Sequence, residues 1–367
     1  IGLIIFLSCV IGQCLKKSSS LIIFSQILIN TFKNKTLSSL NIIGLLIGSV
    51  VFCDSAFLVL SGLTKSISST ATYSLNSLNL SLAGGLYTSH NLIPPTPGPV
   101  AILNNLNSIE LIGDVILYGF LVSIPATLVS ILFASRLVKR KKIKIDYNSN
   151  VNYKKIILPF LVIIIPLLII SVNTLSELIG LNLSYDEVRF IKRFSNANFA
   201  LLVGAIMSLF LPKVYENKKR IITDSFKDFY PIILLTSAGS AFGNIIKNSE
   251  LVEILPLFFD SINNSLISVC LICYVIGTIL KTSQGSSTSA MIITSSLIFP
   301  LISKYNFTNF DIVMVTLSIG AGSMMISHIN DSYFWIVSKK SEMNLQNSLK
   351  YFSIMTVFQS LSTILFI

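Results

Sequence analysis

Ala83-Gly-Gly-Leu-Tyr-Thr-Ser-His-Asn-Leu-Ile-Pro-Pro-Thr-Pro-Gly-Pro99 decides how this chain folds. Four of its seventeen residues are prolines and three are glycines, so it cannot run as one continuous helix. It lies within residues 66–109, a run of 44 without an Asp, Glu, Lys or Arg, and its flanks are apolar, unlike those of a surface loop. In a membrane, an interrupted, hydroxyl-bearing backbone is tolerated only where it is buried in protein or lines a watered cavity. One of the chain's two histidines, His90, sits in this stretch.

The other histidine repeats the pattern. Ala321-Gly-Ser-Met-Met-Ile-Ser-His328 aligns with Ala83-Gly-Gly-Leu-Tyr-Thr-Ser-His90 at an offset of 238, and Gly12-Gln-Cys-Leu-Lys-Lys-Ser18 aligns with Gly243-Asn-Ile-Ile-Lys-Asn-Ser249 at 231. Two matches at nearly one offset predict a duplicated unit. Repeat 1 covers 1–110, with its broken segment at 83–99, and repeat 2 covers 232–350, with broken segments at 281–290 and 321–335. Linking spans fill 111–231, and 351–367 is a terminal span. Duplicated halves with interruptions at corresponding places are the sequence pointer to a secondary transporter whose site lies at the repeat interface.

Composition sets the class. The chain is 52% hydrophobic and 12% charged, with a mean hydropathy of +0.77, against about 25% charge in a soluble domain. It reads as an all-α polytopic protein of the plasma membrane, with roughly nine to eleven membrane segments at about 20 residues each. It begins at Ile1 inside an apolar run, which predicts a further N-terminal piece. The net charge of +11 is no nucleic-acid footprint, because much of it falls in two basic segments, 136–155 and 213–228, that the positive-inside rule makes cytoplasmic. Residues 36–64 are predicted as one tilted span. Residues 261–303 read as two spans with a polar junction or as a span plus a re-entrant segment. Cys9, Cys14, Cys53, Cys270 and Cys273 lie in apolar runs and read as packing residues, with no metal or redox role.

Ionisable groups at membrane depth cost from about 2.5 to over 10 kcal/mol and are usually functional. Here they are Asp54, His90, Lys281, His328 and Asp331. Asp54 and Asp331 are candidate proton carriers, since desolvation favours the neutral form of a carboxylate, with pairing of an aspartate to Lys281 as the competing role. His90 and His328 can titrate near neutral pH. Gln284-Gly285-Ser286-Ser287-Thr288-Ser289 offers hydroxyls and an amide, and at the start of a half-helix such a stretch receives a carboxylate well.

Four stretches together resemble the gluconate:proton symporter (gluconate permease) family of bacterial inner membranes. They are Ser89-His-Asn-Leu-Ile-Pro-Pro-Thr-Pro-Gly-Pro99, Phe52-Cys-Asp-Ser-Ala-Phe57, Gln284-Gly-Ser-Ser-Thr-Ser-Ala290 and Ser327-His-Ile-Asn-Asp-Ser-Tyr-Phe-Trp335. The resemblance covers nearly the whole chain. It implies proton-coupled uptake of a small hydroxy-carboxylate within a superfamily of ion transporters built from inverted repeats with re-entrant hairpins. There are departures: Thr96 stands where the proline signature often has His, Lys16 or Lys17 replaces an acidic residue, Ser19 replaces a Gly, and Asp54-Ser55-Ala56 stands for Glu-Val-Gly. These point away from strict gluconate specificity, toward other sugar acids, D-serine or short hydroxy acids.

The expected substrate site comprises Ser89, His90, Asn91 and Thr96 from the first half, with Gln284, Gly285, Ser286, Ser287, Thr288, Ser327, His328 and Asn330 from the second. Asp54, Asp331, His90 and His328 are the proton-coupling candidates. The expected partners are a gluconate-like anion, protons and membrane lipid, and a homodimer is compatible with the sequence. No cofactor is expected. An intramembrane Ser-His-Asp hydrolase is the remote alternative, and a channel or scaffold the third. No Gly-x-Ser-x-Gly elbow and no His-Glu-x-x-His pair is present, and nothing resembles a repeated selectivity filter.

Overall fold

A computed structural model describes residues 2–18, 35–70, 73–136, 154–178, 193–247, 265–304 and 307–367. Among them the structure is helical, and no strand occurs. The helices are α1 (Gly2–Lys17), α2 (Thr36–Gly48), α3 (Cys53–Thr70), α4 (Leu75–Leu92), α5 (Pro97–Asn105), α6 (Ile112–Ser135), α7 (Lys154–Leu178), α8 (Ala197–Ser208), α9 (Lys218–Lys247), α10 (Leu266–Gln284), α11 (Ser287–Lys304), α12 (Asn309–Gly322) and α13 (Ser332–Lys340). The chain closes with α14 (Leu345–Phe366), which carries a π-turn at Leu349–Ser353. Most of the basic segment 136–155 lies outside the described residues.

The helices are turned inside out relative to a soluble bundle. On α6, Leu121, Ile124, Leu128 and Leu132 are exposed, while Val122, Ser123, Ala126 and Ser130 face the protein. On α10, Ile267, Leu271, Val275 and Ile279 point outward, and Cys270, Cys273, Gly277 and Lys281 point inward. Large apolar groups outside with small or polar ones inside is the arrangement that lipid selects. Among the described residues, Ile109–Ser135, Leu266–Gln284 and Leu345–Phe366 are long and apolar enough to cross a membrane, and several apolar helices are shorter. All five cysteines are buried and free.

The short helices arise where the chain breaks. Residues 83–92 are helical, and the interruption in the quoted stretch is confined to 93–96, between α4 and α5. Pro97 then opens α5, where its missing N–H is not needed. The expected span 36–64 is corrected by the structure, because α2 ends at Gly48 and α3 starts at Cys53. No proline marks that break; close packing of Gly48 against Leu86 of α4 holds α2 to its last residue. The second-half interruptions are likewise narrower than the sequence suggests, at 285–286 and 323–331.

The centre of the molecule is α4, buried from Ser77 to Leu92 despite its Ser, Asn and Thr content. Several of its polar groups are met by neighbouring helices. Asn41 of α2 donates to the Ser81 carbonyl and the Ser130 hydroxyl at 2.9 and 2.6 Å, Ser81 donates to Leu37 O at 2.6 Å, and Gln359 of α14 donates to Thr88 Oγ1 at 2.9 Å. Glycines let α2 and α4 approach. A Cβ on Gly44 would stand 2.6 Å from Leu82 O, and one on Gly85 would stand 2.9 Å from the Asn41 carbonyl carbon. Overpacking of this kind costs about 1–3 kcal/mol. Gly85→Ala is therefore expected to lower the melting temperature of the detergent-solubilised protein by several degrees, read by circular dichroism. An unchanged melting point would mean that the α2–α4 contact is not tight.

α4 and α12 enter from opposite ends of α6. Ser77, near the start of α4, donates to Ala134 O at 2.6 Å, whereas Phe310, near the start of α12, packs on Tyr118. They meet at their far ends, where Gly320 leaves room for the Asn91 carbonyl.

Candidate functional site

Three helices begin at one cavity of about 480 Å³. α3 presents Phe52, Cys53, Asp54 and Ser55; the α10–α11 junction presents Gln284, Gly285, Ser286, Ser287 and Thr288; and the start of α13 presents Asn330, Asp331, Ser332 and Tyr333. Tyr87 and His90 of α4 and Lys227, Asp228, Pro231 and Ile232 of α9 complete the wall. A helix N-terminus carries free N–H groups and about half a positive charge, so three of them around one space favour an anion.

Each N-terminus is held by local chemistry. Ser286 caps α11 by accepting from Ser289 N at 3.2 Å. Asp331 caps α13 by accepting from Tyr333 N at 2.9 Å, and its other oxygen takes the Ser327 hydroxyl at 2.5 Å and Lys281 Nζ at 2.6 Å. Gly285 adopts a left-handed φ of 79° and stops α10. Asp54 is held only by neutral donors, Cys53 Sγ at 3.4 Å and Ser332 Oγ at 3.1 Å, and forms no ion pair among the described residues. Tyr87 and Tyr333 stack at 5.6 Å between centroids, and the Tyr87 hydroxyl lies 3.2 Å from Ser287 Oγ.

The structure thus brings together nine of the sequence-predicted residues: Asp54, His90, Gln284, Gly285, Ser286, Ser287, Thr288, Asn330 and Asp331. The others lie off this cavity. Ser89 Oγ bonds back to Gly85 O and Leu86 O, Asn91 Nδ2 to Tyr87 O, and Thr96 Oγ1 to Ile93 O. Ser327 serves Asp331, and His328 Nε2 lies 3.0 Å from Thr282 O. Asn330 lines the cavity with its amide donating to Thr282 O and Ser283 O, at 2.8 and 3.2 Å. The two Ser-His pairs also differ locally: Ser89-His90 lies in the last turn of α4, whereas Ser327-His328 lies in the unwound stretch before α13. Asp331 takes the competing role, paired with Lys281.

The sequence reading missed Tyr87, Tyr333, Cys53, Ser55, Ser332 and the α9 pair Lys227 and Asp228. Lys227 and Asp228 stood inside a segment read as cytoplasmic charge, and only the helical register of α9 turns them to the cavity. Asp228 accepts from Gln13 of α1 at 2.6 Å. One turn earlier, Lys17 bonds Asp224 at 2.9 Å and holds its carboxyl below the usual carboxylate range.

Residues 1–367 match the GntP family permease model. The gluconate permease of Bacillus subtilis is 23% identical over all of this chain and 85% of its own length. The Gnt-II system L-idonate transporter of Escherichia coli is 24% identical over all of this chain and 84% of its own. The D-serine transporter DsdX of Escherichia coli is 25% identical over 87% of this chain and 73% of its own. The chain belongs to the GntP permease family, and is therefore a membrane transporter of the inner membrane rather than an enzyme.

Proposed function

We propose that this GntP-family permease takes up gluconate, or a small hydroxy-carboxylate close to it, together with a proton. The observation that carries the reading is the convergence of three helix N-termini on a cavity containing Asp54, a carboxylate without a cationic partner among the described residues. The substrate carboxylate is received at Ser286, Ser287 and Thr288, where α11 supplies free N–H groups and hydroxyls. The hydroxylated tail lies toward Asn330, Ser332 and Asp54. An anion entering beside an ionised Asp54 is repelled, so anion and proton enter together and Asp54 carries the proton. His90 borders the same space, against Phe52 at 6.0 Å between ring centroids.

The architecture supports alternating access. Each half holds two helices joined by a short break, α2–α3 and α10–α11, followed by an interrupted helix, α4–α5 and α12–α13. Because α4 and α12 enter from opposite ends of α6, we read the halves as inverted repeats and the joined pairs as re-entrant hairpins. The cavity reaches α9 at Lys227, the helix that begins with Lys218, Lys219 and Arg220, so this conformation faces the cytoplasm.

The test is uptake of labelled gluconate into proteoliposomes under an inward proton gradient, with L-idonate and D-serine as competitors. Accumulation that a protonophore abolishes is expected. Uptake driven by sodium alone would overturn the coupling, and preferential competition by D-serine would reassign the substrate.

A further inference from the structure

Lys281 does not line the cavity, yet it is among the most deeply enclosed side chains of the molecule, 1% exposed at the last turn of α10. Its ammonium donates to two acceptors from different elements. One is Gly285 O at 2.5 Å, in the break before α11, and the other is Asp331 Oδ2 at 2.6 Å, in the break before α13. Asp331 is itself anchored by Ser327 Oγ and Tyr333 N, so Lys281 is tied to a fixed point rather than to a mobile side chain.

We propose that Lys281 is a positioning residue for the carboxylate subsite: it sets the orientation of the Gly285–Ser286 peptide and thereby aims the donors at the start of α11. The argument is covalent geometry. A trans peptide is planar, with its carbonyl and its N–H pointing in opposite directions. Holding the Gly285 carbonyl against Lys281 therefore fixes the direction of the Ser286 N–H, and with it the entry of the backbone into α11. Only glycine serves at this junction, because φ is 79° and a Cβ would press into the Asn330 backbone. That freedom also means that residue 285 itself does little to resist rotation of the peptide. Lys281 supplies the constraint that Gly285 lacks. Electrostatically the ion pair is closed on itself, so Lys281 acts on the anion through geometry more than through net charge.

The inference rests on the reading that the start of α11 receives the substrate carboxylate. A merely structural ion pair makes a different prediction, because removing both charges of a buried pair is often tolerated, whereas removing one leaves the other uncompensated. The experiment compares wild type, Lys281→Arg and the double variant Lys281→Met/Asp331→Asn, each by thermal melting in detergent and by gluconate uptake kinetics in proteoliposomes. The double variant is expected to melt within a few degrees of wild type, with KM raised about ten-fold or more and kcat changed by less than about three-fold. Lys281→Arg keeps donors for both acceptors and is expected to hold KM within about three-fold of wild type.

A folded double variant with wild-type KM would overturn the proposal. So would a normally folded Lys281→Arg protein whose KM rises about ten-fold or more, and this arm decides if the double variant does not fold. A second readout needs no substrate. With the five native cysteines replaced, Ser286→Cys is titrated with a small charged methanethiosulfonate reagent, with and without Lys281→Arg/Asp331→Glu, which keeps the pair but shifts its reach. A labelling rate altered several-fold supports the clamp, and identical rates overturn it. If wild type carries no gluconate but labelling responds, the substrate reading fails and the positioning role stands.

Discussion

Asn in place of Asp54 is expected to abolish uphill accumulation of gluconate while leaving gluconate exchange nearly intact. Asp54 opens α3 at the cavity and, among the described residues, is hydrogen-bonded only by the Cys53 thiol and the Ser332 hydroxyl. The amide preserves shape and can still accept from Ser332, so the cavity retains its form. What the amide cannot do is take up and release a proton. Under an inward proton gradient, the Asp54→Asn protein should accumulate substrate no further than equilibrium, a loss of about 100-fold if the gradient is two pH units, since each unit supports a ten-fold ratio for one proton. Counterflow, in which labelled gluconate enters in exchange for unlabelled gluconate inside, should persist within about three-fold. The other candidates are otherwise engaged: Asp331 is paired with Lys281, and His328 lies against the Thr282 carbonyl. Continued uphill accumulation by Asp54→Asn would remove Asp54 from the coupling mechanism and direct attention to His90 and Asp228 on the same wall.

Gly285→Ala is expected to lower uptake at sub-saturating gluconate by about 100-fold. Two costs combine. A left-handed backbone costs a residue with a Cβ roughly 1–2 kcal/mol. The new Cβ would also stand 2.6 Å from the Asn330 carbonyl carbon and 2.9 Å from Asn330 Cγ, so the two breaks must separate. Small-to-large insertions into such packing add about 1–3 kcal/mol. Together these approach 3 kcal/mol, and about 1.4 kcal/mol corresponds to a factor of ten. The measurement is kcat/KM in proteoliposomes normalised to reconstituted protein. Gly285→Asn separates the two costs, since asparagine tolerates the left-handed region better but is larger. It should be no better than alanine if contact with Asn330 dominates. Wild-type kcat/KM in Gly285→Ala would mean that the junction relaxes freely and that its geometry does not define the site.

How much of this was legible depended on what kind of signal each residue leaves in a sequence. The break at Ile93–Thr96 announced itself through prolines, which cannot sit inside a helix, and the junction at Gly285 did so through a glycine amid hydroxyls. The break between α2 and α3 left no such mark. Val50-Val51-Phe52 is as apolar as any span, and the break falls just beyond Gly44 and Gly48, where α2 packs closely on α4. The same limit governed the site. Ser89, Thr96 and Ser287 are all hydroxyls in polar stretches, yet Ser89 and Thr96 bond back to their own chain, while Ser287 faces Tyr87 and the cavity. Nothing in residue type distinguishes a hydroxyl spent on its own helix from one available to a ligand. Lys227 and Asp228 were hidden differently, since counting charges assigns a side of the membrane but not a face of a helix.

The three converging helix starts have a consequence for how this carrier responds to acidity. Peptide dipoles do not titrate, so in the proposed cycle the backbone N–H groups offer the anion the same field at every pH, and acidity acts on its binding through Asp54. Acidity then reaches the transport cycle through the proton carrier rather than through the anion-binding groups. In the proposed cycle the main chain supplies the part of recognition that does not respond to pH, and Asp54, which borders the cargo and carries the proton, supplies the part that does.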